Sequence, residues 1–346
     1  MDFTCPLPIT EYDAVTLGHG GGGKLTNRLI EQLLVPGLSN DYLDELHDGA
    51  VLPAFEGPVA FSTDSYVVHP PFFPGGDIGL LAVHGTTNDL AMCGARPRWL
   101  SLGFILEEGF LLKDLHRVVA SIRGACAELG VQVVTGDTKV VERGKGDGIY
   151  VNTSGVGQVL PGVRLAPKRV QAGDVVILSG AIAEHGMAIL SVRDDLGFEG
   201  DLKSDTAGLW PVVEKVLQVG GGGVHCLRDA TRGGVASVVN EVAQAAGVGM
   251  MLDGAAIPVR PPVRAACEFL GLDPLYVANE GRFVAFVEPS RVGAVLTALK
   301  SHPLGEGATV VGEVVAEHPG VVRLRSGFGG SRVVDMVSGE QLPRIC

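Results

Sequence analysis

Residues 111–139 read LLKDLHRVVASIRGACAELGVQVVTGDTK, and two periods in this stretch decide the fold class. Leu111, Leu115, Val118, Val119, Ile122, Cys126 and Leu129 recur at the spacing of one helical face, and Gly130 follows as the stop. Val131 to Thr135 is then a short apolar run that suits a buried strand, and Gly136-Asp137 comes directly after it. A helix delivering a buried strand into a polar segment is a building unit of α/β proteins.

The same alternation extends in both directions. Upstream, Lys24 to Leu34 carries a helical stripe ended by Pro36-Gly37, and Val59 to Thr63 reads as a strand running into Asp64. Ile78 to Met92 reads as a helix closed by Gly94, and Trp99 to Leu106 as a buried strand. Downstream, the basic stretch from Pro161 to Arg169 has the look of a domain boundary. Beyond it come strands at Val175–Ser179, Phe283–Val287, Val310–Val315 and Val321–Arg325, with helices at Leu209–Val219, Gly234–Ala246 and Ser290–Leu299. The expected organisation is an N-terminal α/β domain over residues 1–162, a second over 163–328, and a mobile glycine-rich then polar tail over 329–346.

Composition bounds the function. A chain of 346 residues with net charge −12 lacks the Lys/Arg surplus that duplex phosphates demand, and aromatics at 5% leave little for base stacking, so no nucleic-acid partner is expected. A nucleotide, which needs only local donors or a metal, stays open. No apolar run is long enough to span a membrane, and the start lacks the pattern of a secretory signal. The six cysteines are scattered without a CxxC pair, which excludes a zinc pattern and implies a reduced, cytoplasmic protein.

Gly18 to Lys24 approaches a P-loop but has Leu25 where that motif needs Ser or Thr. It reads better as a glycine lid with one cation, Lys24, able to face an anion, or as a plain flexible loop; His19 within it reads as a solvated or lid residue. Asp48, Asp64, Asp89, Asp137 and Asp229 each stand past an apolar strand or in a turn sequence. Singly, each suits a turn or an N-cap; together they suggest one edge at which carboxylates hold magnesium against phosphates. In an extended Thr135-Gly136-Asp137-Thr138-Lys139, Asp137 and Lys139 point the same way, either into one pocket or as a surface ion pair. Asn279-Glu280-Gly281 is a polar turn with one acid. The ending Pro343-Arg344-Ile345-Cys346 puts a thiol on an arm long enough to visit a site on its own subunit or a partner, where it would serve as a carrier.

These motifs resemble the HypE family of hydrogenase maturation proteins, within the PurM-like superfamily of aminoimidazole ribotide synthetase, selenophosphate synthetase and thiamine-monophosphate kinase. The resemblance rests on the glycine lid, on His47-Asp48-Gly49-Ala50, Ser62-Thr63-Asp64-Ser65, Asn88-Asp89 through Ala95, Thr135 to Val140, Arg228-Asp229 through Gly234, Asn279-Glu280-Gly281 and the Pro-Arg-Ile-Cys ending. It implies a homodimer whose N-terminal sheets close a barrel. It also implies ATP and magnesium bound by Lys24, Asp48, Asp64, Asn88, Asp89, Thr135, Asp137, Thr138 and Asp229, with Asp48, Asp89, Asp137 and Asp229 as metal ligands. The implied reaction is ATP-dependent dehydration of a carbamoyl group on Cys346 to a nitrile. HypF would supply the carbamoyl group, a HypC–HypD iron scaffold would receive the cyanide, and Glu280 and Lys139 would handle the nitrogen protons. The alternatives are another ATP enzyme of the superfamily, either a selenophosphate synthetase or a small-molecule kinase, and a nucleotide-binding carrier without catalysis. The selenophosphate synthetases carry a reactive Cys or selenocysteine close to the glycine loop, where this chain has His19.

Overall fold

The computed structural model describes residues 11–193, 201–327 and 329–336. Cys5 and the Cys346 ending lie outside the described residues. The N-terminal half opens with two short helices, α1 (Lys24–Leu29) and α2 (Val35–Leu38), joined by a π-helical turn over Ile30–Leu34. Pro36 therefore does not end the helical run as expected. The wider turn releases the hydrogen bond that a proline ring would block, and Pro36 sits in the first turn of α2, where its missing N–H costs nothing.

Next come β1 (Val59–Tyr66), the small hairpin β2 (Phe72–Phe73) and β3 (Gly76–Asp77), α3 (Ile78–Met92), β4 (Ala95–Glu107), α4 (Leu112–Leu129), β5 (Gln132–Val141) and β6 (Ile149–Val159). Four of these strands form a sheet ordered β1-β6-β4-β5, with β4 and β5 parallel and the other pairs antiparallel. The strands run further than their apolar cores suggested, so Asp64 and Asp137 lie inside β1 and β5 rather than in the turns after them.

Alpha3 has the expected bounds. Its N-terminus is fixed by Asp77, whose carboxylate accepts from the N–H groups of Gly79 (2.8 Å) and Leu80 (3.1 Å). It is buried on nearly every side, which explains why the sequence shows no polar stripe there. Leu81, Ala82 and Val83 join the core under the N-terminal sheet, while Ala91 and Met92 pack with Leu209, Val213 and Val216 of the second domain.

The second domain contains β7 (Val175–Leu178), α5 (Glu184–Arg193), α6 (Trp210–Gly220), β8 (Val224–Asp229), α7 (Gly234–Ala246), β9 (Gly249–Asp253), α8 (Pro261–Leu270), β10 (Phe283–Val287), α9 (Val292–Lys300), β11 (Thr309–Val315), β12 (Val322–Arg325) and β13 (Ser331–Val334). Its sheet runs β13-β12-β9-β11-β7-β10-β8, with separate apolar cores on its two faces. The free tail expected from residue 329 does not begin there. Ser331–Val334 pairs antiparallel with β12, and Val334 is fully buried, so the alternating valines at 333 and 334 make this a sheet edge.

Candidate active site at the domain seam

Beta1 and α3 from the first domain meet the ends of β8 and β10 from the second. In β1, Ser62, Asp64 and Tyr66 alternate onto the face covered by α3, and one turn of that helix offers Asp89 to them. Ser62 Oγ donates to Asp89 Oδ2 at 2.5 Å. Across the seam stand Asp229 at the end of β8, Thr231 and Arg232 in the turn before α7, and Glu280 just before β10. Together they line a cleft of about 40 Å³. Asp64, Asp89 and Asp229 are half-buried and Glu280 is 4% exposed.

Three of these carboxyl groups, Asp89, Asp229 and Glu280, are held above their ordinary range. Burial first, and then the charge of Asp89, pushes Asp229 up to about 7. Asp89 is raised by burial and by Asp64, against Ser62, Arg228 and Arg232. Glu280 is driven well above the ordinary carboxylate range by burial, with Asp205, Asp229 and Asp64 adding to it and Arg232 opposing. The Tyr66 hydroxyl rises for the same reasons, burial and then Asp64.

The expected single edge of five aspartates is not what one chain builds. Gly103 pairs with Asp137 on one side and Asn152 on the other, and Asn152 pairs with Ser65. Asp137 therefore projects from the open face of the sheet, while Asp64 projects from the face under α3. Lys139 lies beside Asp137 at 2.9 Å, both largely exposed, so the two do share a face as the alternation implied. Hydrogen bonding from Lys139 holds the Asp137 carboxyl below its ordinary range. Glu280 and Lys139, expected to act as a pair, stand on opposite sides of the N-terminal sheet.

Thr135, Thr138 and the Asp137–Lys139 pair belong instead to a second cavity of about 470 Å³ along the free edge of β5, roofed by Gly20, Gly22 and Thr26 of the glycine segment. Lys24 is exposed at the start of α1 and Asp48 is exposed in a loop; neither lines either cavity. His19 is 1% exposed rather than solvated: its Nδ1 accepts from the Thr16 N–H at 3.0 Å and closes the turn. Asn88, expected to bind the nucleotide, has its amide committed elsewhere. Nδ2 donates to the carbonyls of Ala207 (3.0 Å) and Glu280 (3.2 Å), and Oδ1 accepts from the Leu209 N–H (2.7 Å). These bonds join the two domains.

Sequence reasoning passed over Arg232, Tyr66 and Asp205. Arg232 lies in the quoted Arg228–Gly234 motif and was open to notice; the other two sit in stretches without a distinguishing pattern.

Oxygen-only donors under mutual repulsion suit a hard divalent cation. Among the described residues no three carboxylate, histidine or cysteine groups already converge on one point. Among the described residues, no helix is long and apolar enough to cross a membrane.

A seam between two mixed α/β domains, lined by acids from both, defines the class. The AIR synthase related protein, N-terminal domain, matches residues 46–159, and its C-terminal domain counterpart matches 171–325. Carbamoyl dehydratase HypE of Azotobacter vinelandii is 54% identical over 333 residues, covering 96% of this chain and 97% of its own length. A crystal structure of hydrogenase maturation protein HypE in complex with ATP has 48% identity and a TM-score of 0.92, covering 95% of this chain and 99% of that one. A chain of a HypE–HypF complex has 43% identity and a TM-score of 0.79, covering 89% of this chain and 99% of that one. The chain belongs to the AIR synthase related family and, within it, to the HypE carbamoyl dehydratases.

Proposed function

We infer that this chain is an ATP-dependent carbamoyl dehydratase that converts a carbamoyl group on the Cys346 sulfur to a nitrile. The observation that carries the reading is the cleft of Asp64, Asp89, Asp229, Arg232 and Glu280 in a chain 54% identical to a carbamoyl dehydratase across nearly its whole length.

The chemistry sets the requirements. An amide oxygen leaves poorly, so it must first take the γ-phosphoryl group of ATP and depart as phosphate, while the nitrogen gives up two protons. Within one chain we assign Asp89 and Asp229 as the magnesium ligands, with Asp64 beside them. Magnesium bound there supplies charge neutralisation for the phosphoryl group. Arg232 adds a fixed positive charge facing the same cleft. Glu280 in its ionised form accepts one nitrogen proton, its buried carboxylate being a stronger base than an exposed one, and the second proton leaves with the departing phosphate.

The open face of the N-terminal sheet supports a homodimer closed there into a barrel. Val59 (47% exposed), Phe61 (68%) and Ile105 (44%) stand on it, a set of apolar side chains that water disfavours. In that dimer we assign Asp48, Asp137, Thr135, Thr138, Lys24 and Lys139 to the nucleotide phosphates and their metal from the barrel side. The solved HypE–HypF complex supports HypF as the carbamoyl donor, and we assign the HypC–HypD scaffold as the acceptor of cyanide.

The test is magnesium-dependent ATP consumption by protein already carbamoylated at Cys346, with intact mass followed in parallel. Dehydration removes the mass of one water from the modified chain. ATP consumption without a carbamoyl group indicates a kinase, and a stable carbamoyl group with ATP untouched indicates a carrier.

A further inference from the structure

Residues 203–209 lead from α5 to α6 without regular secondary structure, and Ser204 to Ala207 and Leu209 are each tied to another part of the fold. The Ser204 N–H donates to the Pro74 carbonyl at 2.8 Å, and the Ser204 hydroxyl lies 2.8 Å from His185 Nδ1. The Thr206 hydroxyl lies 3.2 Å from His84 Nδ1. Ala207 and Leu209 are held by the Asn88 amide at 3.0 and 2.7 Å. Both histidines are buried and held neutral by that burial, His84 down to about 4 and His185 to about 3, so these ties do not change near neutral pH.

Between the tied positions sits Asp205, with a side chain 0% exposed. Its two carboxylate oxygens accept from consecutive backbone N–H groups, Glu280 at 3.1 Å and Gly281 at 3.3 Å. The Glu280 carbonyl accepts from Asn88, so the peptide on each side of Glu280 is gripped. The approach is close enough that a Cβ at position 281 would stand 1.8 Å from the Asp205 carbonyl oxygen, which only glycine permits. Behind Asp205, the Arg282 Nε lies 3.7 Å away; the same guanidinium donates to the Ala181 carbonyl at 3.0 Å and pairs with the buried Glu184 at 3.2 Å. A buried acid with this many fixed partners is built to hold a shape. Asp205 does not line the cleft and cannot touch a ligand in it.

We propose that Asp205 is the positioning residue for Glu280: by holding the two backbone N–H groups at the 280–281 turn, it fixes where the Glu280 carboxyl enters the cleft. This rests on Glu280 as the proton acceptor proposed above. Misplacing a reacting group by about 1 Å costs on the order of a hundred-fold in rate, whereas nucleotide binding depends on other residues.

Asp205→Asn keeps the volume but turns an N–H donor towards one of the two backbone N–H groups. It is compared with the parent and with Glu280→Gln on full-length protein carbamoylated at Cys346 in advance. The expected result is a single-turnover nitrile rate lowered about ten- to hundred-fold, with the KM for ATP within about two-fold of the parent. If Asp205→Asn does not fold, Asp205→Ser, whose hydroxyl can accept one of the two bonds without crowding the slot, is read the same way. A parent-like rate in the folded variant beside an impaired Glu280→Gln overturns the proposal alone. So does a loss that falls on the KM for ATP rather than on the rate. A fully active Glu280→Gln overturns the reading of Glu280, and the proposal with it.

Discussion

Asp229 provides a test in which function and stability pull in opposite directions. Its carboxyl is displaced from the ordinary 3.8 to about 7 by burial and by Asp89. An unfolded chain ionises that carboxyl near its ordinary value, while the folded chain keeps the proton until pH about 7. Between those limits the folded state binds more protons, so stability falls as pH rises, and it levels off above the folded value. At about 1.4 kcal/mol per pH unit the upper bound of this loss is about 4 kcal/mol. Asp229 is only half-buried, so water screens part of it, and about 1–2 kcal/mol is the expected remainder.

The neutral histidines act in the other direction. His84 and His185 must stay uncharged in the folded state, so acid below about 6.5 favours the unfolded chain, which can protonate them. The total stability curve therefore mixes two opposing slopes, and the difference between parent and Asp229→Asn removes the common part. In cation-free buffer Asp229→Asn should be the more stable protein at pH 8, by about 1–2 kcal/mol, with the gap closing towards pH 5. Each kcal/mol moves the melting temperature by about 2–4 °C, within reach of scanning fluorimetry and urea titration. Magnesium with a non-hydrolysable ATP analogue should raise the melting temperature of the parent and leave the variant nearly unmoved. A gap that does not depend on pH, or a variant less stable than the parent at pH 8, refutes the account of repelling carboxylates at the seam.

The proposed dimer is tested by one charge: Phe61→Glu should convert the protein to monomer at micromolar concentration by light scattering, since each Phe61 buried contributes about 2 kcal/mol; an unchanged mass refutes the barrel. Cys346→Ser should keep ATP affinity within about two-fold yet acquire no carbamoyl group in intact-mass spectra, and Lys139→Ala should acquire the group without losing water from it. Gly85→Ala would set a Cβ 2.2 Å from the Tyr66 hydroxyl oxygen, displacing the ring that lines the cleft. A stability loss of about 1–3 kcal/mol is expected, with wild-type melting as the contrary result.

How far the sequence could be read follows from which interactions are local. The amphipathic stripe of α4 and the strand after it are set by residues within a few positions of each other, and both stand where the periodicity put them. The bounds of α3 were equally legible, although its burial on all sides depends on a second domain that no local pattern announces. Asp205 was invisible because its partners are backbone N–H groups 75 and 76 residues away, which carry no side-chain signature. Ser331–Val334 was missed because the glycines around residues 327–330 outweighed two valines, and only the open edge of β12 makes those valines a strand.

The division of the aspartates depends on a single residue of register. Asp64 aligns through Thr153 and Leu102 with Gly136, one position before Asp137. Side chains alternate along a strand, so that one-residue offset sends the two carboxylates to opposite faces of the sheet. Alternation within residues 135–139 was legible and paired Asp137 with Lys139, but the register that sets Asp137 against Asp64 runs through β6 and β4 and carries no local signal. Once both are inside strands, a single chain cannot bring Asp137 and Lys139 to the cleft of Asp64, Asp89 and Asp229 without tearing the sheet. The same open face that carries Asp137 also carries Phe61 and Ile105. If the family's aspartates do serve one nucleotide, the register of a four-stranded sheet requires a second subunit to complete the site, and mixed dimers give the decisive experiment. A subunit with Asp137→Ala combined with one carrying Asp229→Ala should recover about half of the parental sites if each site draws on both chains in this way, and none if every site is built within one chain.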